Sequence, residues 1–193
     1  MRGMRFTRHR GALRADLDAV EAGVLAQLAE EVLGLVDEPE VSGDPLAALV
    51  GLPPGDVYEP EGPVLSRLLP DAYDRPGADG TDPEASGDFR RYTDADLRAG
   101  KRANAQVVLD TVPEGGGRMT LDRDQADAWL GCLNDVRLAL GTSLGVTEHT
   151  DPDDRGDRGD DDPAYQALQV YGWLGYLQES LLSCLEPRVP GTP

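Results

Sequence analysis

Reactive side chains are scarce in this sequence. Its 193 residues include two cysteines, two histidines and one lysine, Lys101. Cys132 and Cys184 stand far apart and outside any paired-cysteine motif, which argues against a secreted disulfide scaffold. His9 and His149 fall in predicted loops, so a histidine general base or nucleophile pair is poorly provided for. There is no GxSxG elbow, phosphate-binding loop, dinucleotide fingerprint or HExxH pair. No stretch approaches the roughly 18 uninterrupted apolar residues of a membrane span. No apolar run follows the first arginines, so a signal peptide is not expected. These absences lead us to expect a cytoplasmic protein that is not an enzyme, carries no cofactor or metal and has no membrane contact.

Positive charge is also scarce. The formal net charge is −18, with 18 Lys and Arg against 36 Asp and Glu. Such a chain is repelled by DNA and by anionic membranes, so no direct DNA binding is expected of it alone. The charge is unevenly spread. Residues 1–14 hold Arg2, Arg5, Arg8, Arg10 and Arg14 and no acid, leaving 13 bases and 36 acids in the rest. This basic arm is the candidate partner contact. It has three possible counterparts: nucleic acid, an acidic partner, or the chain's own body. The last is the preferred reading.

What remains reads as one mostly α domain over 1–193, with four longer helices, short ones, and a small N-terminal β-hairpin. The hairpin is suggested by weak alternation around Arg10-Gly11. The first helix is capped by Asp16 or Asp18 and runs to about Val36. Its stripe is Leu17, Val20, Val24, Leu28, Val32 and Leu35, with Glu21, Glu30 and Glu31 on the other face. PLAALVGL (45–52) and VLSRLLP (64–70) are short helix candidates. Thr93 to Asp96 resembles a capping box opening a helix to about Thr111. Leu97, Lys101, Asn104 and Val108 share one of its faces. Polar residues so placed more often satisfy a neighbouring carbonyl or carboxylate than bind a ligand.

The strongest periodicity lies in residues 122–145. Ala126, Trp129, Leu130, Leu133, Val136, Leu140 and Leu144 recur in steps of three and four. Thr120 or Asp122 caps its start, and Gly141 or Gly145 ends it. The last helix, about 164–186, carries Val170, Trp173, Leu174, Leu177, Leu181, Cys184 and Leu185 in one stripe. It is apolar nearly all round, so it is either buried or packed in an oligomer, and a homodimer stays open. The two tryptophans read as core, not as a ligand cage. Cys132 and Cys184 are the redox candidates. Their apolar stripes favour two buried, reduced thiols.

Residues 71–92 and 147–163 read as mobile acidic loops, and 187–193 as a disordered tail. The second loop, TEHTDPDDRGDRGDDDP, has eight acids against two arginines. It is no calcium loop: counted from Asp151, the fifth position is Arg155 and the twelfth Asp162.

Several stretches match a family jointly. Asp88-Phe89-Arg90-Arg91 precedes TDADLRAGKRANAQVVLDTVP, followed by AWLGCLNDVRLALGTSLGVTEH and VYGWLGYLQESLL. With PLAALVGL and RLLPDAYD upstream, their order resembles the actinobacterial AosR-type oxidative-stress regulator family, long filed as a domain of unknown function. The resemblance covers nearly the whole chain. It implies a non-enzymatic regulator that binds a transcription-machinery protein, either a sigma factor or RNA polymerase. It also suggests an alternative, an adaptor or structural subunit linked to Clp-type protein turnover, because family genes tend to lie beside that of a Clp protease adaptor. The family's redox switching is associated with closely spaced N-terminal cysteines. Residues 1–14 contain none, so no switch residue is carried over.

Overall fold

The computed structural model describes residues 4–9, 11–37, 62–70, 83–152, 159 and 162–186, with the backbone alone for 83–93. The elements in chain order are β1 (Thr7–His9), β2 (Ala12–Leu17), α1 (Ala19–Val36), α2 (Pro63–Leu68), α3 (Pro83–Thr111), β3 (Gly117–Leu121), α4 (Arg123–Ser143) and α5 (Pro163–Leu185). The expected fold class holds: mostly α, with a small sheet at the N-terminus. The short helix expected at 45–52 and the tail 187–193 lie outside the described residues.

The hairpin turns at Gly11, whose φ of +90° suits a residue without a Cβ. Thr7 then faces Arg14, and His9 faces Ala12. The third strand, β3, was not expected from the sequence. It pairs antiparallel with β2, Leu13 opposite Leu121 and Leu17 opposite Gly117. Alternation sorts the two faces. Leu13, Ala15, Leu17, Met119 and Leu121 are buried, while Asp16, Arg118 and Thr120 look outward. β1 is an edge strand of three residues, and the chain just before it is closed off where the Phe6 N–H donates to Ser180 Oγ of α5 at 3.2 Å. Short, charged and partly covered edges of this kind resist strand addition.

The glycine run before β3 has a definite task. Gly116 has φ +88° and crosses the start of α1 so closely that a Cβ would lie 2.7 Å from the Asp18 carbonyl carbon and 2.8 Å from the Ala19 nitrogen. Gly115 has φ +73° and open space around it. Gly115→Ala should therefore cost only the left-handed strain, about 1 kcal/mol. Gly116→Ala adds a backbone clash and should cost more than about 2 kcal/mol. Thermal melts of the two variants check this. Equal losses would show that α1 yields freely.

Asp18 is the N-cap of α1. Its Oδ1 accepts from Glu21 N at 2.8 Å, and Glu21 Oε2 accepts from Asp18 N at 3.0 Å. This reciprocal box turns Glu21 inward, to 1% exposure. The fully buried residues of α1 are Glu21, Ala22, Leu25, Ala29, Val32 and Val36; of the expected stripe, Leu17 and Val32 are buried, Val24, Leu28 and Leu35 pack partly buried against the core clusters, and only Val20 is exposed. α4 carries a second box, Asp122 with Gln125, which settles its N-cap on Asp122. Its far end is a Schellman motif: Val146 N donates to Gly141 O and Gly145 N to Thr142 O, with Gly145 at φ +65°. Gly145, not Gly141, ends the helix.

α3 corrects the sequence reading most. It begins at Pro83, so residues 83–92, expected to be loop, are helical, and Thr93 lies inside the helix instead of capping it. Proline is favoured in the first turn, where its missing N–H is not needed. Residues 71–82 lie outside the described residues. Of the expected face, Leu97 is exposed while Val108 is buried, and Ala105 joins it in the core. In the 147–163 segment, the described Pro152 carbonyl accepts from Gln169 Nε2 of α5 at 2.7 Å. Residues 153–158, 160 and 161 lie outside the described residues.

One core joins the inner face of the sheet to α1, α3, α4 and α5. Trp129 is fully buried at its centre and Phe6 meets it edge-on, ring centroids 5.7 Å apart. Trp173, Leu174, Leu177 and Leu181 supply the α5 side, as the last stripe led us to expect. A smaller cluster, Leu65, Leu68 and Leu69, sits α2 on Leu35, Leu138 and Ala139. Arginines from neighbouring helices close two C-termini. Arg98 Nη1 donates to Val36 O, Arg102 pairs with Asp37, and Arg123 Nη1 donates to Leu185 O. Neither α1 nor α5 has a basic residue in its own last turn, so these contacts satisfy carbonyls otherwise left open.

Candidate functional site

The lone lysine is used inside the protein. Lys101 Nζ of α3 donates to Asp135 Oδ1 of α4 at 2.5 Å, with side-chain exposures of 12% and 4%. Asn104, one turn further along α3, lies over Gly131, where a Cβ would push its amide aside. The glycine thus makes room for the Asn104 amide beside the Lys101–Asp135 pair. Burial pushes the Asp135 carboxyl up from its ordinary value, and the hydrogen bond and charge of Lys101 only partly oppose this. Lys101 thus satisfies a carboxylate, as expected of a polar residue on that face. Its partner was not foreseen.

Cys132 lies three residues before Asp135 on α4 and is buried. Burial, with a smaller push from the Asp135 charge, raises its thiol to about 12. At neutral pH it is protonated and unreactive. Cys184 is half-buried on α5, and both cysteines are free. α4 meets α5 along the row Arg123, Arg137 and Gly141, and meets α3 through Gly131 and Asp135. At about 3.6 residues per turn, Cys132 sits roughly half a turn away from the α5-facing row. The fold therefore does not set up a Cys132–Cys184 bridge. Mild peroxide should form no intramolecular disulfide. Mass spectrometry of the treated, alkylated protein checks this, and a high-yield Cys132–Cys184 cross-linked peptide would refute it.

The α4–α5 seam holds a second polar group. Arg137 Nη1 donates to Gln178 Oε1 at 2.5 Å, and its guanidinium lies over the Tyr171 ring at 5.0 Å from the centroid. Gly141 lies under the Tyr171 ring, where a Cβ would come within 3.1 Å of it. The arrangement is a cation–π packing contact between helices.

The basic arm is docked on the body. Met4 and Phe6 are buried in the core, and between and beyond them Arg5, Thr7, Arg8 and His9 are exposed. Arg14 is half-buried on β2, with Nε buried and unbonded. Arg2 and Arg10 lie outside the described residues. Self-docking thus accounts for the apolar half of the arm, while Arg5 and Arg8 face solvent. His149 is also exposed, near Glu148.

Among the described residues, no group of three or more His, Cys, Asp or Glu could hold a metal ion. No helix among them is long and apolar enough to cross a membrane. The site elements are thus a buried ion pair, an inert thiol and a solvent-facing basic sheet.

A family model described as a domain of unknown function (DUF2017) matches residues 1–185. Proteins from Mycobacterium bovis and Mycobacterium tuberculosis, each named oxidative stress regulator AosR, are 35% identical over 193 residues, covering 93% of this chain and 84% of theirs. A relative from Mycobacterium leprae is 36% identical over 174 residues, covering 86% of this chain and 78% of its own. No solved structure matches.

Proposed function

From its membership of the family described as a domain of unknown function (DUF2017), to which this chain belongs, we propose that the protein is a regulator of the oxidative-stress response. The observation that carries the proposal is 35% identity to named oxidative stress regulators over 93% of the chain. The similarity spans nearly the whole chain, not one motif, so the relatives' fold is expected to be shared. Regulation is the coarse reading. Its finer form is a cytoplasmic, non-enzymatic protein that binds a component of the transcription machinery, a sigma factor or RNA polymerase.

Two features support the finer form. Cys132 is a neutral thiol and both histidines are exposed, so the described body offers little for acid–base or nucleophilic chemistry. Solvent-facing arginines on an acidic chain suit contact with a protein more than with nucleic acid. Oxidant sensing then falls to the partner, since the two thiols of this chain are not set up to pair.

Affinity purification of the tagged full-length chain from its native host, with and without peroxide, tests the proposal. Recovery of a sigma factor or polymerase subunit supports it. Recovery of Clp protease components instead would overturn it in favour of the turnover adaptor.

A further inference from the structure

The sheet has two unlike faces. Its inner face closes the core. Its outer face is polar and, against the charge of the chain, basic. Strand register places Thr7, Arg14 and Thr120 in one row and Asp16 beside Arg118 in the next. Arg5 shares the side of Thr7, because Met4 and Phe6 between them take the inner side. Arg8 stands opposite Leu13, so it leans to the other side of the edge strand and is exposed at the rim of the sheet. Among the described residues, this end of the molecule presents Arg5, Arg8, Arg14 and Arg118 against one outward acid, Asp16.

That acid is already committed. Asp16 Oδ1 accepts from Arg118 Nε at 3.1 Å, in a pair that is about two-thirds exposed at both ends. Asp18 and Asp122, at the ends of β2 and β3, accept from helix N-termini. No described residue forms an ion pair with Arg5, Arg8 or Arg14. Four cations with one engaged acid are out of keeping with a chain of net −18. Self-docking explains why the hairpin is held down. It does not explain why its free face is arginine.

We propose that the outer face of the sheet, with Arg5 and Arg118 as its principal contacts and Arg8 exposed at its rim, docks an acidic protein segment of the regulator's partner. The site rests on the reading of this protein as a partner-binding regulator and gives that partner a chemistry. Guanidinium groups suit it because they pair with carboxylates in a planar, two-pronged way. Strand addition is disfavoured, because the chain entering β1 is covered by Ser180 and what remains of β1 is short. The contact is therefore made by side chains across the face. A long nucleic acid is disfavoured because the remaining 13 bases and 36 acids would repel its backbone. A short acidic segment reaches the patch without lying along the body.

The test uses the purified full-length chain and a short, labelled polyglutamate peptide, read by fluorescence anisotropy. Labelled oligothymidylate of similar length is the comparison. Binding of the peptide should weaken about tenfold or more in Arg5→Glu/Arg8→Glu/Arg118→Glu. It should also be lost as salt rises from about 0.05 M to about 0.5 M, where screening removes exposed attraction. The thermal melt should fall only slightly, since the variant loses one exposed ion pair, Arg118 with Asp16. If the triple variant melts early, Arg5→Gln/Arg8→Gln keeps the test valid. Unchanged peptide affinity would overturn the proposal. So would tighter binding of the oligothymidylate by the wild type, which assigns the face to nucleic acid. Self-association of the wild type that the variant loses would assign it to a second copy.

The affinity purification separates this proposal from the one it rests on. If the triple variant still retains the transcription protein, the surface is wrong and the regulator reading stands. If the wild type binds polyglutamate but retains no such protein, the regulator reading fails and the surface stands.

Discussion

Replacing Trp129 with alanine should cost about 3–5 kcal/mol, the range for deleting a buried large aromatic. Against a typical domain stability of about 5–15 kcal/mol, that is a large share. The side chain has no solvent exposure and ties three elements together. Phe6 leans edge-on against it from the N-terminal arm. Its Nε1 donates to Thr111 Oγ1 at 2.7 Å, at the end of α3. That hydroxyl donates in turn to Val107 O at 2.6 Å, so the tryptophan and the last turn of α3 are fixed together. Truncation empties the centre of the core, removes an aromatic contact worth about 0.5–1.5 kcal/mol beyond its area, and frees the arm at Phe6. Denaturant melts measure the loss, and a value below about 1 kcal/mol would mean the cavity collapses.

Trp173 provides an internal comparison. It is nearly as buried, but its Nε1 has no hydrogen-bond partner among the described residues. Trp173→Ala should also cost about 3–5 kcal/mol. The phenylalanine variants should differ. Trp129→Phe breaks the bond to Thr111, whereas Trp173→Phe removes a buried donor that already lacks a partner. The second should be the milder change, because an unsatisfied buried polar group is itself a cost of about 1–3 kcal/mol.

How far such details were legible depends on how local their causes are. The two tryptophan helices were readable because their stripes, caps and the Gly145 stop lie within the helices themselves. β3 was not. Arg118-Met119-Thr120-Leu121 after three glycines looks like a linker, and it becomes a strand only by pairing with β2, about a hundred residues earlier in the chain. The face of α1 was read only in part, for two reasons. Ala22 and Ala29 carry little apolar signal, although they are what the core accepts. Glu21 was assigned to water because it is charged, but its carboxylate is held inward by the Asp18 N–H. The start of α3 was placed late because Gly87 and the acidic residues before it resemble loop, yet one glycine inside a helix costs only about 1 kcal/mol.

The candidate site divides the same way. A lone lysine on an apolar face is visible in sequence, and so is the need for a partner. The choice of Asp135 is not, because it follows from how α3 packs against α4. The five arginines of the arm were visible as a cluster. Arg118 joins the surface of Arg5 and Arg14 only through the register of β3.

The Lys101–Asp135 pair should behave as a unit. Removing one partner strands a charge in a mostly buried position. Asp135→Ala and Lys101→Met should each cost about 3–5 kcal/mol at neutral pH. Replacing both, as Lys101→Met/Asp135→Leu, should be neutral or stabilising by about 1–4 kcal/mol, because neither desolvated charge remains. The raised pKa of Asp135 points the same way, since burial outweighs the attraction of Lys101. The sign of the pH dependence follows. A carboxyl whose folded pKa lies above its unfolded value favours the folded state most when protonated. That contribution is full below the ordinary value of 3.8 and is lost as pH rises through the raised one. Lys101→Met removes the only groups pulling the value down, so its Asp135 should titrate higher still. Its stability deficit relative to the double variant should therefore grow as pH rises from the ordinary aspartate range toward neutrality. Denaturant melts of the two variants at several pH values measure this. A deficit independent of pH, or a double variant as unstable as the sum of the singles, would show that the pair is solvated and does not hold α3 against α4.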